Sequence, residues 1–447
     1  MTDLQNILID YKLFEKYDIK YFKENLIIPI WENEINFEVA VCKESNLTTI
    51  KNDFFKMIKF KEYDKKEIEF ALSNLEYKIL LYKDAIKTQH NIEQFIYKMI
   101  KFSINLRTSD IHIEEFEDNI LFRFRIDGKL KTFFVFSNTL FKPLSSYIKL
   151  ISNLDITQNR LPMDARFSLK ISDKTYDFRV STMPTITSES IVLRILDKKN
   201  INKSLQTLGL SSDLLDLLKK SLKLTQGLIL LSGPTGSGKT TTLYSILKEL
   251  KSNDRKIITV EDPVEYKIDS ICQISINSKV GLSFELVLRN ILRQDPDIIF
   301  IGEIRDKFSL DIALQASLTG HLVIATVHAS SAIQTISRLI DLQADPFLIS
   351  STLKLVMAQR LVLNYCTNCG AKGCEKCNFT KFYDRSSIAE ILKIDDELSS
   401  IIFKKVDINE IKKYLQTINF KTLLDDGKEK VSQNITSLEE VYKVVNI

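Results

Sequence analysis

The period of the hydrophobic positions changes along the chain. Up to about residue 85 the apolar residues fall at helical spacing, interrupted by one strand-like run, Phe37-Glu38-Val39-Ala40-Val41. From Asn91 to Leu106 a helical pattern leads into two segments that alternate with period two, Ile111-His112-Ile113-Glu114 and Leu121-Phe122-Arg123-Phe124-Arg125-Ile126. Strands with one wet face read this way. Asp127-Gly128 is a hairpin turn signal, and further strands are expected at Arg166 to Ser181 and Ile191 to Leu196. After the polar stretch Asp197 to Lys203 come short, almost continuous apolar runs: Leu228 to Ser232, Ile257 to Val260, Ile298 to Ile301 and Leu322 to Val327. Such runs belong to strands buried on both faces of a parallel sheet.

The expected domains are therefore residues 1–88, a middle α+β domain at 89–197, a linker at 198–206 and an α/β domain at 207–447. About three domains also suit a chain of 447 residues at roughly 150 residues each. A net charge of +4 excludes nucleic-acid binding by bulk charge, and no apolar run approaches the roughly 18 residues that span a bilayer. Met1 to Asp18 mixes Asp, Glu and Lys with apolar residues, unlike a signal peptide, so a cytosolic protein is expected.

Two composition skews sharpen the picture. The chain has 12 glycines, of which only Gly128 precedes residue 209, yet Gly233, Gly236 and Gly238 cluster within six positions. A glycine-poor chain keeps them where backbone geometry demands them. Fourteen of the basic residues are arginine, and seven of these lie from Arg107 to Arg194. A planar, permanently charged fork suits phosphate or carboxylate; pairing with the domain's own acids is the alternative.

Gly233-Pro234-Thr235-Gly236-Ser237-Gly238-Lys239-Thr240 matches G-x-x-x-x-G-K-[ST] between a predicted strand and the helix expected from Thr241 to Leu250. Backbone N–H groups would converge there on phosphate oxygens, Lys239 on the β/γ-phosphates and the Thr240 hydroxyl on Mg²⁺. The fold class expected is accordingly α/β, with a P-loop nucleotide-binding core. Glu303 follows the strand Ile298 to Ile301, and Glu261 and Asp262 end the preceding one, at the sheet edge where ligands of open α/β sheets bind. His328 ends the next strand, in position to sense the γ-phosphate, whereas His321 at its start could be structural. Arg289 and Arg293 stand at helical spacing before the Glu303 strand and could complete a site. Cys366, Cys369, Cys374 and Cys377 form two C-x-x-C knuckles suited to Zn²⁺, with unligated thiols and an iron–sulfur or redox role as the alternatives.

These segments resemble the type II secretion and type IV pilus assembly ATPases. Thr108 to Glu114 with Arg123 to Gly128, Arg160 to Arg166 and Phe178 to Pro184 look like the family's middle domain. Glu261-Asp262-Pro263-Val264-Glu265 resembles its Asp box, Gly302-Glu303-Ile304-Arg305-Asp306 its Walker B region, and Leu318 to His328 its His box. Gln359-Arg360-Leu361 looks like the helix that ensues. Departures include Ala165, Ser188, Lys381 and Asp384 where the family usually has glycine.

The resemblance implies a RecA-like P-loop ATPase core behind the α+β domain, and a homo-hexameric motor that hydrolyses Mg-ATP to assemble a pilus or pseudopilus. It implies a small amino-terminal domain docked on a membrane-anchored partner, an inner-membrane platform protein, and peripheral association with that membrane from the cytoplasm. Arg179 and Arg194 are the middle-domain candidates for the nucleotide, beside Thr241 and the P-loop residues. The alternatives are a retraction-type ATPase of the same superfamily, which would lack the long amino-terminal region and the cysteines, and a RecA-like nucleic-acid motor, which would need a basic aromatic groove.

Overall fold

The computed structural model describes residues 4, 7, 9–86, 92–196, 203–404 and 408–445. The expected boundary at 88/89 and linker residues 198–202 lie outside the described residues. Two compact units emerge: Met1–Asp197 with Cys366–Tyr383, and Lys198–Tyr365 with Asp384–Ile447.

The first unit begins with a three-stranded sheet of β1 (Ile27–Glu32), β2 (Asn36–Val41) and β3 (Met57–Glu62) in that order. β1 and β2 are antiparallel, whereas the helix Leu47–Asp53 carries the chain across so that β3 runs parallel to β2. Phe22, Ile27, Phe37, Val39 and Ile68 fill its core. Of these strands the hydrophobic pattern foretells only the second. β1 escapes it because it is buried along most of its length and so does not alternate; β3 does alternate, Ile58 and Phe60 half-buried between exposed Lys59 and Lys61, but over a run too short and too polar to stand out.

A second sheet in this unit has the order β6-β5-β4-β9-β8-β7. Its strands are β4 (Thr108–Glu115), β5 (Asn119–Ile126), β6 (Lys129–Ser137), β7 (Met163–Ile171), β8 (Lys174–Pro184) and β9 (Glu189–Leu196). Every second residue of β5 is buried, and Phe122 and Phe124 pack with Ile111, Ile113 and the helices Ile92–Asn105 and Phe141–Ile151. The arginines occupy the opposite face. Arg166, Arg179, Arg194, Asp110 and Arg125 stand in one cross-strand row, each in register with the next.

The tetracysteine segment corrects one expectation. Expected within the 207–447 domain, Cys366–Tyr383 groups instead with the first unit. Phe379 packs against the middle-domain core and the Arg107 guanidinium lies 3.8 Å from the Tyr383 ring centroid. A long loop is assigned to the core its aromatic residues bury against, not to its sequence neighbours.

The second unit is a seven-stranded sheet, order β12-β11-β13-β14-β10-β15-β16. Its strands are β10 (Gly227–Ser232), β11 (Ile257–Glu261), β12 (Cys272–Ser275), β13 (Ile298–Ile301), β14 (Leu322–Val327), β15 (Leu353–Tyr365) and β16 (Phe382–Lys393). β10 to β15 pair in parallel. Leu228, Leu230, Ile299 and Val323 pack on one face and Ile229, Leu231, Phe300 and Ile324 on the other, which is why these strands read as unbroken apolar runs. Gln359-Arg360-Leu361, expected on a helix, instead lies within β15, with Ala358 beside Ser232 of β10. Leu, Met, Ala, Gln and Arg make this run compatible with a helix by local propensity; burial of Leu355 to Arg360 and the parallel pairing with β10 make it an interior strand.

Candidate active site

The carboxyl ends of β10, β11, β13 and β14 lie side by side, and each delivers one of the expected groups. Past β10 the chain turns through Gly233 and enters the helix Lys239–Leu250 from Gly238, a left-handed residue at φ 92°. A Cβ on Gly233 would sit 2.5 Å from Ser237 Oγ and 2.7 Å from the Gln359 carbonyl, and one on Gly238 would sit 2.7 Å from Gln359 Nε2. Side chains are excluded at both points because β15 passes directly behind the loop. Pro234, Thr235, Gly236 and Thr240 face solvent, Thr241 is half-buried, and Ser237 Oγ is buried with no hydrogen-bond partner among the described residues.

Lys239 folds back over the loop, its ammonium donating to the carbonyls of Gly233 and Pro234. Burial pulls that ammonium down to about 8; the Glu303 carboxylate opposes the shift and the Arg360 charge adds to it. A cation held only by carbonyls, at the mouth of convergent N–H groups, is suited to an incoming polyanion.

Glu303 is the hub. Its Oε2 accepts from Arg305 Nε at 2.7 Å, and His328 Nε2 lies 3.1 Å from its Oε1. Arg305 also stands 3.8 Å from Asp262. The turn carrying Glu303 is anchored by the Ile304 N–H, which donates to the Thr326 carbonyl at 2.8 Å, and by the Thr326 hydroxyl, which donates to the Gly302 carbonyl. Glu261 is different in kind: only 5% exposed, it accepts from Tyr244 Oη at 2.6 Å and Thr259 Oγ1 at 2.7 Å. Gln359 ties the helix after the P-loop to the far strands, accepting from Thr242 Oγ1 at 2.8 Å and donating to Ser387 Oγ at 3.0 Å.

The structure thus gathers Lys239, Glu303 and His328, with Glu261 behind them. Within the same unit it does not bring Arg289 and Arg293 to them. Arg289 pairs with Glu285 of its own helix and lies over the Phe308 ring, and Arg293 is exposed in a following 3-10 turn. In the first unit Arg194 donates to Asp110 at 2.9 Å and Arg179 stands 3.8 Å from Asp164. His321 contacts the Ala316 carbonyl through Nδ1 at 3.0 Å, at the amino end of β14 and so at the edge opposite to His328. Sequence reasoning missed Arg305, Tyr244, Gln359 and Arg360 as site residues. Arginine scarcity in a lysine-rich chain was the signal available for two of them.

The four cysteine Sγ atoms lie within 4.8 Å of one another, with Cys366–Cys374 at 4.0 Å, Cys369–Cys377 at 3.9 Å and Cys374–Cys377 at 3.8 Å. A tetrahedron with Zn–S bonds of about 2.3 Å has edges of about 3.8 Å, so the cluster fits that ion. Hydrogen bonds, first from the Cys377 backbone and then from Asn368, pull the Cys374 thiol down to about 6, while burial pushes Cys377 up to about 11.

The sequence model of the Type II/IV secretion system protein family matches residues 85–443. The chain belongs to that family. Among relatives, it is 42% identical over 378 residues to the type II secretion system ATPase E of Vibrio cholerae, covering 79% of this chain and 75% of the relative. It is 39% identical over 388 residues to the type II secretion system protein HxcR of Pseudomonas aeruginosa, covering 85% and 83%. Among solved structures, the ATPase DotB of Legionella pneumophila aligns with a TM-score of 0.64 at 26% identity, covering 78% of this chain and 95% of that one. The pilus retraction motor PilT with bound ADP aligns with a TM-score of 0.59 at 26% identity, covering 79% and 97%. This secretion-family chain is an ATPase with a RecA-like core, and among the described residues no helix is long and apolar enough to cross a membrane.

Proposed function

We propose that this ATPase is a homo-hexameric, Mg-ATP-driven motor for assembly of a pilus or pseudopilus. The observation that carries the reading is the convergence of Lys239 and the Glu303–His328 pair at adjoining strand ends. Lys239 would release its two loop carbonyls and bind the β/γ-phosphates, with Gly233 to Thr241 forming the cradle. The Thr240 hydroxyl, with Glu303 nearby, would hold Mg²⁺, which neutralises charge developing between the phosphates. Glu303 would orient the attacking water and accept its proton, while His328 fixes the carboxylate's second oxygen. Glu261, fully engaged by Tyr244 and Thr259, would act by holding the β11 end in place rather than by moving protons.

Arg289, Arg293, Arg179 and Arg194 would complete a site across subunit boundaries, exchanging carboxylate partners for phosphate. Cys366, Cys369, Cys374 and Cys377 would hold one Zn²⁺. The three-stranded domain within residues 1–88 would dock on a membrane-anchored partner, and the motor would work an inner-membrane platform protein from the cytoplasm. A retraction motor is the second reading, favoured by the likeness to PilT. The amino-terminal sheet and the cysteines argue for assembly instead.

Light scattering with ATPase rates across a protein dilution series tests the ring. Turnover per chain should rise with the hexamer fraction; a proven monomer with undiminished turnover would overturn the proposal.

A further inference from the structure

Arg360 is buried, 8% exposed, yet among the described residues none of its hydrogen bonds goes to a carboxylate. Nη1 donates to the Gln359 carbonyl at 2.9 Å, Nη2 to the Ser330 carbonyl at 2.8 Å and Nε to the Val444 carbonyl at 3.1 Å. Three separate segments therefore meet on one guanidinium: β15 behind the P-loop, the turn after β14, and the last turn of the carboxyl-terminal helix Leu438–Val444. An ammonium has no fixed fork with which to reach three carbonyls in different directions, which explains an arginine here in a chain that otherwise favours lysine.

A buried charge is costly unless compensated. Here the compensation is incomplete. Burial holds the guanidinium below its ordinary value and the Glu390 carboxylate only partly restores it. Glu390 is itself buried and accepts from the Ala332 and Leu423 N–H groups, the starts of two helices. Glu390 thus fixes where the helix Ala332–Asp341 begins, while Arg360 grips the residue two places before it. That turn begins at His328, whose Nε2 meets Glu303.

We propose that Arg360 is a positioning residue for hydrolysis: by holding the Ser330 carbonyl against β15 and the carboxyl-terminal helix, it sets the turn that presents His328 to Glu303. The proposal rests on the reading of Glu303 and His328 as hydrolytic groups. It also makes the carboxyl-terminal helix a lever on the active site, since the Val444 carbonyl shares the same guanidinium.

The test is a double-mutant cycle on the full-length protein, with turnover and ADP affinity measured for Arg360→Lys, His328→Ala and the pair. Arg360→Lys keeps the charge and loses the fork, so kcat should fall about tenfold while the ADP Kd stays within about twofold. In the His328→Ala background the same change should cost almost nothing, because the residue it positions is gone. Losses that multiply, or wild-type turnover by Arg360→Lys, would overturn the proposal. If Arg360→Lys does not fold, the surface variant Gln334→Ala takes its place, since Gln334 Oε1 accepts from the Ser330 N–H at 3.2 Å. It should lower kcat by about two- to threefold only while His328 is present; a loss independent of His328, or no loss, would overturn the proposal. Wild-type turnover by both Glu303→Gln and His328→Ala would instead bring down the hydrolytic reading, and this proposal with it.

Discussion

Tyr244 donates its hydroxyl to Glu261 Oε2 at 2.6 Å, joining the first helix after the P-loop to the end of β11. Both residues are buried, and desolvation together with the adjacent carboxylate pushes the phenol far above its ordinary value, so it stays a donor at every working pH. Tyr244→Phe would leave one oxygen of a buried carboxylate short of a partner. The expected cost is about 1–3 kcal/mol in unfolding free energy, measured by denaturant titration. Turnover should fall with it, because the β11 end borders Glu303: a Cβ on Gly302 would lie 3.3 Å from Glu261 Cα. An unchanged denaturation midpoint would contradict the positioning role.

Lys239 makes nucleotide binding pH-dependent. In the free protein its ammonium titrates near 8, and a bound polyphosphate favours the charged form and so raises that value. Below pH 8 the lysine is already protonated and affinity should be flat. Above pH 8 binding must take up a proton, so affinity should fall as pH rises through 8 to 9. Calorimetry in two buffers of different ionisation enthalpy measures that uptake directly. Zero uptake at pH 8.5 would contradict the assignment.

Lys381 and Asp384 stand in left-handed backbone conformations, at φ 71° and 68°, which glycine adopts without strain. For lysine this conformation costs roughly 1–2 kcal/mol, offset in part by the greater unfolded-state freedom of glycine. Lys381→Gly should therefore raise the melting temperature, by up to about 1 kcal/mol of stability. Asp384 tolerates the conformation better, its Oδ1 accepting from the Arg385 N–H at 2.8 Å, so Asp384→Gly should change stability by less than about 0.5 kcal/mol. Equal effects at both positions would contradict this account.

The cysteine cluster should carry about one zinc per chain. Elemental analysis should find it after purification without added metal, and Cys374→Ser should lower the content to a small fraction. A metal-free protein with four freely reactive thiols would rule the site out.

Much of the nucleotide-binding unit is legible in the sequence because it is written in backbone constraints. Gly233 and Gly238 are glycine since β15 leaves no room for a Cβ, and Ile298 to Ile301 is apolar throughout since both faces of its sheet are covered. Long-range partners are not legible in this way. Nothing local shows that Gln359 and Arg360 sit on a strand behind the P-loop, more than a hundred residues from it in sequence. The arginine row of the first unit was visible as a cluster, but its pairing with Asp110 and Asp164 depends on strand register, which sequence spacing does not reveal. Sequence adjacency puts the cysteine segment with the second unit, whereas the half-buried Phe379 packs on the core of the first.

The account turns on Glu303 as the group that serves hydrolysis and not binding. Measuring ATP affinity and steady-state turnover of Glu303→Gln tests it most directly, because the amide keeps the side chain's size while removing the base. The variant should bind ATP within about threefold of wild type and lose turnover by at least about a hundredfold. Turnover at the wild-type rate would contradict the assignment of the site.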